Sequence, residues 1–295
     1  MRRPTADLML VTTVSLWALN FTVSKYILDA GFHPIAYSAV RYSTAALVFA
    51  AITLASERSL RVSGRDSLVA AACVAVLFVN QVCFVYALHF TTAATTALLF
   101  GTLPIWTGLL ARGTGVERQS VRFWLAAALS FGGVVLVAAG SGGRLSTNLK
   151  GDALAVGGAA TWAAYSVAIA PLMRRYSPFR LSSIFLLAVA VPLLAVSAPA
   201  LGRQEWDFGW LVWLGFAFAV LGPLVTTNLL WFSAIGRVGP SRASLFANLQ
   251  PFLAAIVALI VLSESITMLQ VAGGLALAAG IAIAPRAPPP APDAD

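Results

Sequence analysis

The sequence predicts an all-α membrane protein with ten transmembrane helices, arranged as two inverted repeats of five helices each. Three observations support this fold class. Of the 295 residues, 59% are hydrophobic and only 10% are charged, whereas an ordinary soluble domain has about 25% charged residues. Apolar segments follow one another with short polar breaks, and the second half of the chain repeats residues of the first half. This composition excludes a soluble globular fold.

Ten apolar segments are long enough to cross a bilayer, whose hydrocarbon core of about 30 Å needs roughly 20 helical residues. They span 8–28, 34–55, 67–89, 93–112, 121–139, 153–172, 179–199, 209–235, 240–262 and 266–284. The alternating apolar and polar pattern of a membrane β-barrel is missing, so we expect helices that satisfy their own backbone hydrogen bonds. Residues 285–295 are rich in Pro and Ala, and we expect a disordered cytoplasmic tail.

The positions of Lys and Arg predict the orientation, because positively charged loops stay on the cytoplasmic side. With a cytoplasmic N-terminus, 14 of these residues lie on that side, and three, Arg144, Lys150 and Arg203, lie on the other. Lys25 and Arg41 lie within segments. The sequence therefore predicts that both termini lie in the cytoplasm, and the net charge of +8 reflects this orientation rather than nucleic-acid binding.

An internal repeat divides the chain into residues 1–145 and 146–284. An offset of 147 residues places Pro104 on Pro251, Glu117 on Glu264 and Gly133 on Gly280, and an offset of 145 places Trp17 on Trp162. Each repeat contains five segments, and five is odd, so the second repeat must enter the membrane from the opposite side. Inverted repeats of this kind are typical of transporters, with a binding site near the midplane between the halves.

The residues resemble one known family over nearly the whole chain. The first repeat carries the pattern in Trp17, Asn20, Phe21, Lys25, Arg41, Pro104 and Glu117, and the second in Trp162, Pro251, Glu264, Gln270, Gly273 and Gly280. This order is similar to the drug/metabolite transporter superfamily, specifically its EamA-type members with ten helices. The resemblance implies a permease of the inner membrane, usually an exporter of metabolites, that works by alternating access.

Polar and aromatic side chains at midplane depth, together with Arg41 in the outer third of the bilayer, are the candidate substrate-binding residues. Asn20 and Ser24 follow Trp17 on one helical face, and a buried amide must be paired or face a wet cavity. Bonds that hold helices together are the alternative role for each asparagine. The candidates are Trp17, Asn20, Ser24, Arg41, Asn80, Tyr86, Trp106, Trp162, Tyr165, Asn228, Ser244 and Asn248.

Two prolines and two cations require separate interpretations. Pro104 and Pro251 lie within segments, where each is expected to act as a hinge beside the cavity. Lys25 can pair with Asp29 four residues later, whereas Arg41 has no local acid and can attract a carboxylate or stabilise an outer gate.

Other classes of protein lack support in the residues. The chain has no G-x-S-x-G, H-E-x-x-H or P-loop motif, so we expect neither an enzyme nor a cofactor. Two cysteines are too few for a metal site, and no ring of charge suggests a channel. The expected partners are membrane lipid and a small-molecule substrate, and no nucleic acid is expected. The sequence does not distinguish a monomer from a dimer. The mix of Trp, Tyr and Asn with Arg41 among the candidate residues favours amino acids or similar zwitterions as substrates, with drugs and other metabolites as alternatives.

Overall fold

A computed structural model of the protein describes residues 4–142, 148–262 and 266–285, and within these residues it is helical without any strand. The first repeat contains α1 (Pro4–Asp29), α2 (Pro34–Glu57), α3 (Ser67–Phe90), α4 (Ala93–Phe100), α5 (Leu103–Gly113) and α6 (Val121–Gly140). The second contains α7 (Leu149–Ile169), α8 (Pro178–Leu201), α9 (Trp210–Val220), α10 (Thr227–Val238), α11 (Pro240–Ala247), α12 (Gln250–Leu262) and α13 (Met268–Ile283). Two short 3₁₀ turns, Gly64–Asp66 and Leu172–Arg174, lie in loops.

These helices confirm the predicted class of membrane protein. Eight helical stretches in the described part of the chain are long and apolar enough to cross a membrane, and Met268–Ile283 is a shorter apolar helix. The last helix of each repeat begins at an equivalent cap: Ser120 accepts from the amide of Phe123, and Thr267 accepts from the amide of Gln270. Such side chains satisfy amide groups that the first turn leaves without partners.

The fourth and ninth predicted segments are each two helices rather than one. The chain is interrupted after Phe100 and after Ala247, four residues before Pro104 and Pro251. A proline ring clashes with the carbonyl four residues earlier and supplies no N–H group, which explains why each helix ends at that residue. The two interruptions are related by the repeat, so both halves contain the same break beside the bundle centre.

The eighth segment contains a feature that the sequence did not predict. Residues Leu221–Thr226 form a π-helical turn between α9 and α10. It contains Pro223, whose carbonyl oxygen accepts a hydrogen bond of 2.5 Å from the Thr227 hydroxyl. A wider turn of this kind alters which side chains face inward, and π turns occur often at functional sites.

Contacts between α2 and α8 show that the repeats run in opposite directions. At the end of α2, Glu57 forms an ion pair of 3.0 Å with Arg180 in the first turn of α8. Near the start of α2, the amide of His33 donates to the Gln204 side chain, just beyond the end of α8, at 2.8 Å. Because α2 and α8 are equivalent helices, the second of each repeat, their antiparallel packing means that the two repeats have opposite orientations.

The glycines of α6 and α13 show the same pseudo-twofold relation. A Cβ atom on Gly133 would lie 2.8 Å from the carbonyl oxygen of Gly273, and one on Gly280 would lie 3.0 Å from that of Ala126. The repeat offset exchanges these two pairs, because Gly133 matches Gly280 and Ala126 matches Gly273. Small residues allow the helix backbones to approach closely within a membrane.

Several sequence predictions lie outside the described residues. These are the placement of Glu264, of Arg144, of the 145/146 repeat boundary, and of the tail beyond Pro285.

Candidate functional site

A central cavity lies between the two repeats, at the depth where the α4–α5 and α11–α12 interruptions occur. Its volume is about 590 Å³, including the open space at its mouth. Both repeats contribute to its wall. The lining residues are Trp17, Asn20, Phe21, Arg41, Tyr42, Asn80, Gln81, Phe84, Phe100, Leu103, Trp162, Pro223, Leu224, Asn228 and Gln250.

The structure brings six of the twelve predicted residues together at this cavity. These six are Trp17, Asn20, Arg41, Asn80, Trp162 and Asn228. They come from five helices, namely α1, α2, α3, α7 and α10. Five of them were chosen from the sequence for their polarity or aromaticity at midplane depth, and Arg41, in the outer third of the predicted bilayer, was chosen because it has no local acid.

Three of the other predicted residues are buried, and their side chains form hydrogen bonds or pack against neighbouring residues rather than line the cavity. The Ser24 hydroxyl shares a hydrogen bond of 2.8 Å with the Tyr37 hydroxyl, and it also donates to the Asn20 side-chain oxygen. Tyr165 packs against Phe185 and Phe232 rather than lining the cavity. The Ser244 hydroxyl donates to the Ser241 carbonyl, 2.7 Å away on its own helix. These side chains stabilise neighbouring helices.

The remaining three predicted residues also lie away from the cavity lining. Tyr86 stacks on Phe90 near the end of α3, and Trp106 is half-buried against the apolar core. Asn248 is buried at the interruption between α11 and α12, and neither amide atom has a hydrogen-bond partner among the described residues. Sequence position alone does not reveal these orientations, because a helix at midplane depth also has faces turned away from the cavity.

Aromatic rings form the wall where the two repeats meet. Trp17 meets Trp162 edge to face with ring centroids 5.3 Å apart, and it lies 4.8 Å from the Trp231 ring. Its indole N–H donates to the Thr227 hydroxyl at 3.0 Å. Trp17 is therefore held by packing and by a hydrogen bond to α10. The Trp162 indole nitrogen is buried, and nothing in the described part of the chain bonds to it.

A chain of amides connects Arg41 with α7 through the cavity wall. Arg41 donates to the Gln81 oxygen at 2.9 Å, and Gln81 donates to the Asn80 oxygen at 2.9 Å. Asn80 then donates to the Gly158 carbonyl at 2.9 Å. The bonds join α2, α3 and α7, so Asn80 connects helices, and it also lines the cavity. Lys25 forms its predicted ion pair with Asp29 at 3.0 Å.

Nine lining residues were not selected from the sequence. Some carried a usable signal: Phe21 lies one turn after Trp17, Phe84 lies one turn after Asn80, and Gln81 adjoins Asn80. The others were not accessible to sequence reasoning because the cavity forms only when separate helices pack. The unselected residues are Phe21, Tyr42, Gln81, Phe84, Phe100, Leu103, Pro223, Leu224 and Gln250.

Different contacts join the repeats at the two ends of the bundle. At one end, Phe32 stacks on Phe208 with centroids 5.0 Å apart, next to the bond between His33 and Gln204. At the other end, Asp66 accepts from Arg175 and from the Tyr176 hydroxyl, at 2.5 and 2.8 Å. Aromatic packing therefore joins one end, and charged groups join the other.

A second cavity, of about 1680 Å³ including open space, lies at the end that carries the charged loops. Its lining includes the charged residues Glu117, Arg118, Arg174 and Arg242. Arg242 bonds to Asp7 at 3.3 Å, and the Glu117 carboxylate accepts from the Ser241 amide at 3.3 Å. The central cavity is smaller, and among the described residues of its lining Arg41 alone is charged, so the two spaces offer different environments.

The chain matches a transporter family and two proteins named as transporters over most of its length. It matches the EamA-like transporter family twice, over residues 4–139 and 149–284. It is 26% identical to an uncharacterized transporter of Archaeoglobus fulgidus over 283 residues, which cover 95% of this chain and 98% of the relative. It is also 26% identical to the uncharacterized transporter YyaM of Bacillus subtilis, over 89% of this chain and 87% of the relative. A solved crystal structure has the same fold, with a TM-score of 0.78 and 20% identity, over 96% of this chain and 97% of that one.

Proposed function

Since this chain belongs to the EamA-like transporter family, we propose that it exports small amphipathic metabolites, such as amino acids, through the central cavity. The observation that carries this proposal is the composition of the cavity wall. Rings such as Trp17 and Phe84 alternate there with the amides of Asn20 and Asn228. Apolar surface with a few hydrogen-bonding groups is suited to an organic molecule that has a polar head and an apolar body.

Alternating access between the inverted repeats is the proposed mechanism. A site between two repeats can open to one side and then the other when the repeats rock about it. Polar contacts join the repeats at both ends of the bundle, as alternate closure of the two sides requires. Bonds such as Glu57–Arg180 at one end and His33–Gln204 at the other would break in turn. The interruptions before Pro104 and Pro251 would serve as hinges.

The proposed orientation rests on charge. The distribution of 14 Lys and Arg residues against three across the predicted loops supports cytoplasmic termini, and the inner-membrane location is proposed from the family. Under this orientation the aromatic end, with Phe32 and Phe208, faces outward, and the end with Asp66 and Arg175 faces the cytoplasm.

Transport by purified protein in proteoliposomes tests the proposal. Labelled amino acids are screened for saturable uptake and efflux, with and without a pH gradient. Saturable flux of at least one amino acid is expected, and flux that equals empty liposomes for all of them would overturn the amino acid assignment. If hydrophobic drugs alone are transported, the alternative of a multidrug exporter replaces it.

Matched variants connect the flux to the cavity. Asn20→Ala and Asn228→Ala each remove a polar group from the lining and are expected to slow flux roughly tenfold, the effect of losing about one hydrogen bond. Thr12→Ala, at an exposed position on α1, is the control and should transport at the normal rate. Normal flux in both asparagine variants would move substrate binding away from this cavity.

A further inference from the structure

Arg41 is a buried cation without a full set of partners. Its side chain is 2% exposed, and its guanidinium carbon lies 5.0 Å from the Tyr37 ring centroid and 5.7 Å from that of Phe84. One terminal nitrogen donates to Gln81. The other terminal nitrogen and Nε have no hydrogen-bond partner in the residues that the structure describes. Aromatic faces attract a cation but accept these hydrogen bonds poorly.

The charge of Arg41 is not neutralised within the cavity wall. Of the described residues that line this cavity, Arg41 alone is charged, and the polar ones are amides, a tyrosine and tryptophans. A cation removed from water is costly unless an anion or several acceptors replace the lost solvent. The free donors of Arg41 therefore suit an anion that enters with the ligand, and a carboxylate matches the guanidinium geometry with two parallel bonds.

Trp162, which lines the same cavity, carries a second donor without a partner among the described residues. Its repeat-related residue, Trp17, bonds to Thr227, whereas the buried Trp162 nitrogen has no such partner within the described ranges. An unsatisfied buried N–H group costs roughly 1–3 kcal/mol. Because Trp162 lines the cavity, a bound ligand with acceptor atoms can remove that cost.

We propose that Arg41 binds the carboxylate of the transported molecule, and that Trp162 donates a second hydrogen bond to it. The substrate class is then monocarboxylates with an apolar body, for which the carboxylate is required and an ammonium group is not. Amino acids form one part of this class. No acidic side chain lines the described cavity to bind an ammonium group, while Trp17, Phe21 and Phe84 supply apolar surface. This inference rests on the proposed function, since it concerns the same cavity.

Four related probes separate the carboxylate from the ammonium group. They are phenylalanine, 3-phenylpropanoate, phenylalanine amide and phenethylamine, and their binding to the purified full-length protein is measured by calorimetry in lipid nanodiscs. Phenylalanine and 3-phenylpropanoate are expected to bind at least about tenfold more tightly than the two probes without a carboxylate, because charge-assisted bonds to a buried cation are strong. The proposal would be overturned if phenylalanine amide and phenethylamine bound as tightly as the two carboxylates, or if none of the four probes bound.

Variants then assign this preference to the two residues. Arg41→Gln should abolish the preference for the carboxylate over the amide, and Arg41→Lys should retain part of it. Lys25→Gln is the control, because Lys25 pairs with Asp29 on α1 and should leave the preference unchanged. If Arg41→Gln does not yield monodisperse protein, Trp162→Phe serves instead, since it keeps a ring and removes only the donor, and it should weaken carboxylate binding about tenfold.

The result is separable from the test of the proposed function. Amino acid flux that persists in Arg41→Gln with unchanged affinity would overturn the carboxylate site and leave amino acid export standing. If no amino acid flux is found but 3-phenylpropanoate binds tightly, amino acid export would be overturned and the carboxylate site would stand.

Discussion

Trp17 and Trp162 occupy equivalent positions in the two repeats, and their rings meet edge to face with centroids 5.3 Å apart. Equivalent residues can touch only near the axis that relates the repeats, so the pseudo-twofold axis passes close to this pair. Their indole N–H groups differ, because Trp17 bonds to Thr227 while Trp162 has no partner within the described chain. The cavity is therefore symmetric in its construction and asymmetric in its free donors.

Trp17→Phe should lower the stability of the protein slightly. The substitution keeps an aromatic ring against Trp162 and Trp231 but removes the donor to Thr227, a loss of about 1 kcal/mol. Thermal unfolding followed in detergent should show a lower midpoint than for Trp210→Phe, the control at a residue 72% exposed. Equal midpoints for the two variants would mean that the bond to Thr227 contributes nothing measurable.

Alanine at Gly133 should disrupt the packing of α6 against α13. The new Cβ would lie 2.8 Å from the Gly273 carbonyl oxygen, and such overpacking costs roughly 1–3 kcal/mol. Gly280→Ala should have a similar effect, because it places a Cβ 3.0 Å from the Ala126 carbonyl oxygen in the pseudo-twofold-related contact.

Gly132→Ala is the matched control for the glycine variants. It lies on the same helix, and a Cβ there would meet no atom within 4 Å. The yield of monodisperse protein, measured by size-exclusion chromatography, should fall for Gly133→Ala and Gly280→Ala and stay normal for Gly132→Ala. A similar fall for Gly132→Ala would attribute the loss to helix propensity or lipid contact rather than to close packing.

Tyr176→Phe should destabilise the charged end of the bundle. The hydroxyl donates to the buried Asp66 carboxylate at 2.8 Å and accepts from the Ser63 amide at 2.9 Å. Hydrogen bonds to a charged group contribute about 1.5–3 kcal/mol, whereas the ion pair of Asp66 with the half-exposed Arg175 contributes less. A midpoint of unfolding below that of Tyr26→Phe, at an exposed tyrosine on α1, is the expected result. The reverse order would contradict this account.

Cysteine labelling checks the orientation. In a background without Cys73 and Cys83, Arg65→Cys and Glu205→Cys place thiols at exposed positions in loops at opposite ends of the bundle. Under the positive-inside rule, a membrane-impermeant maleimide added to intact cells should label the residue 205 variant and spare the residue 65 variant. Labelling of the residue 65 variant alone would invert the proposed topology.

Patterns along the sequence were sufficient for the fold class. Helical apolar segments, the odd number per repeat and the offset between Pro104 and Pro251 predicted inverted repeats, because bilayer thickness and backbone hydrogen bonding leave few alternatives. Midplane depth likewise identified Trp17 and Asn20 as candidates, and the lack of a local acid identified Arg41; all three line the cavity. These properties depend on residue type and spacing, which the sequence contains in full.

Packing between helices decided the rest. Tyr165 and Ser24 share the depth of the lining residues but face other helices, and rotation of a helix about its axis is set by its neighbours. The π turn at Leu221–Thr226 and the separation of Arg41 from any acid in the described cavity wall also depend on contacts between distant segments. Residue type therefore determined which groups lie within the membrane, and tertiary packing decided which of them keep free hydrogen-bonding atoms.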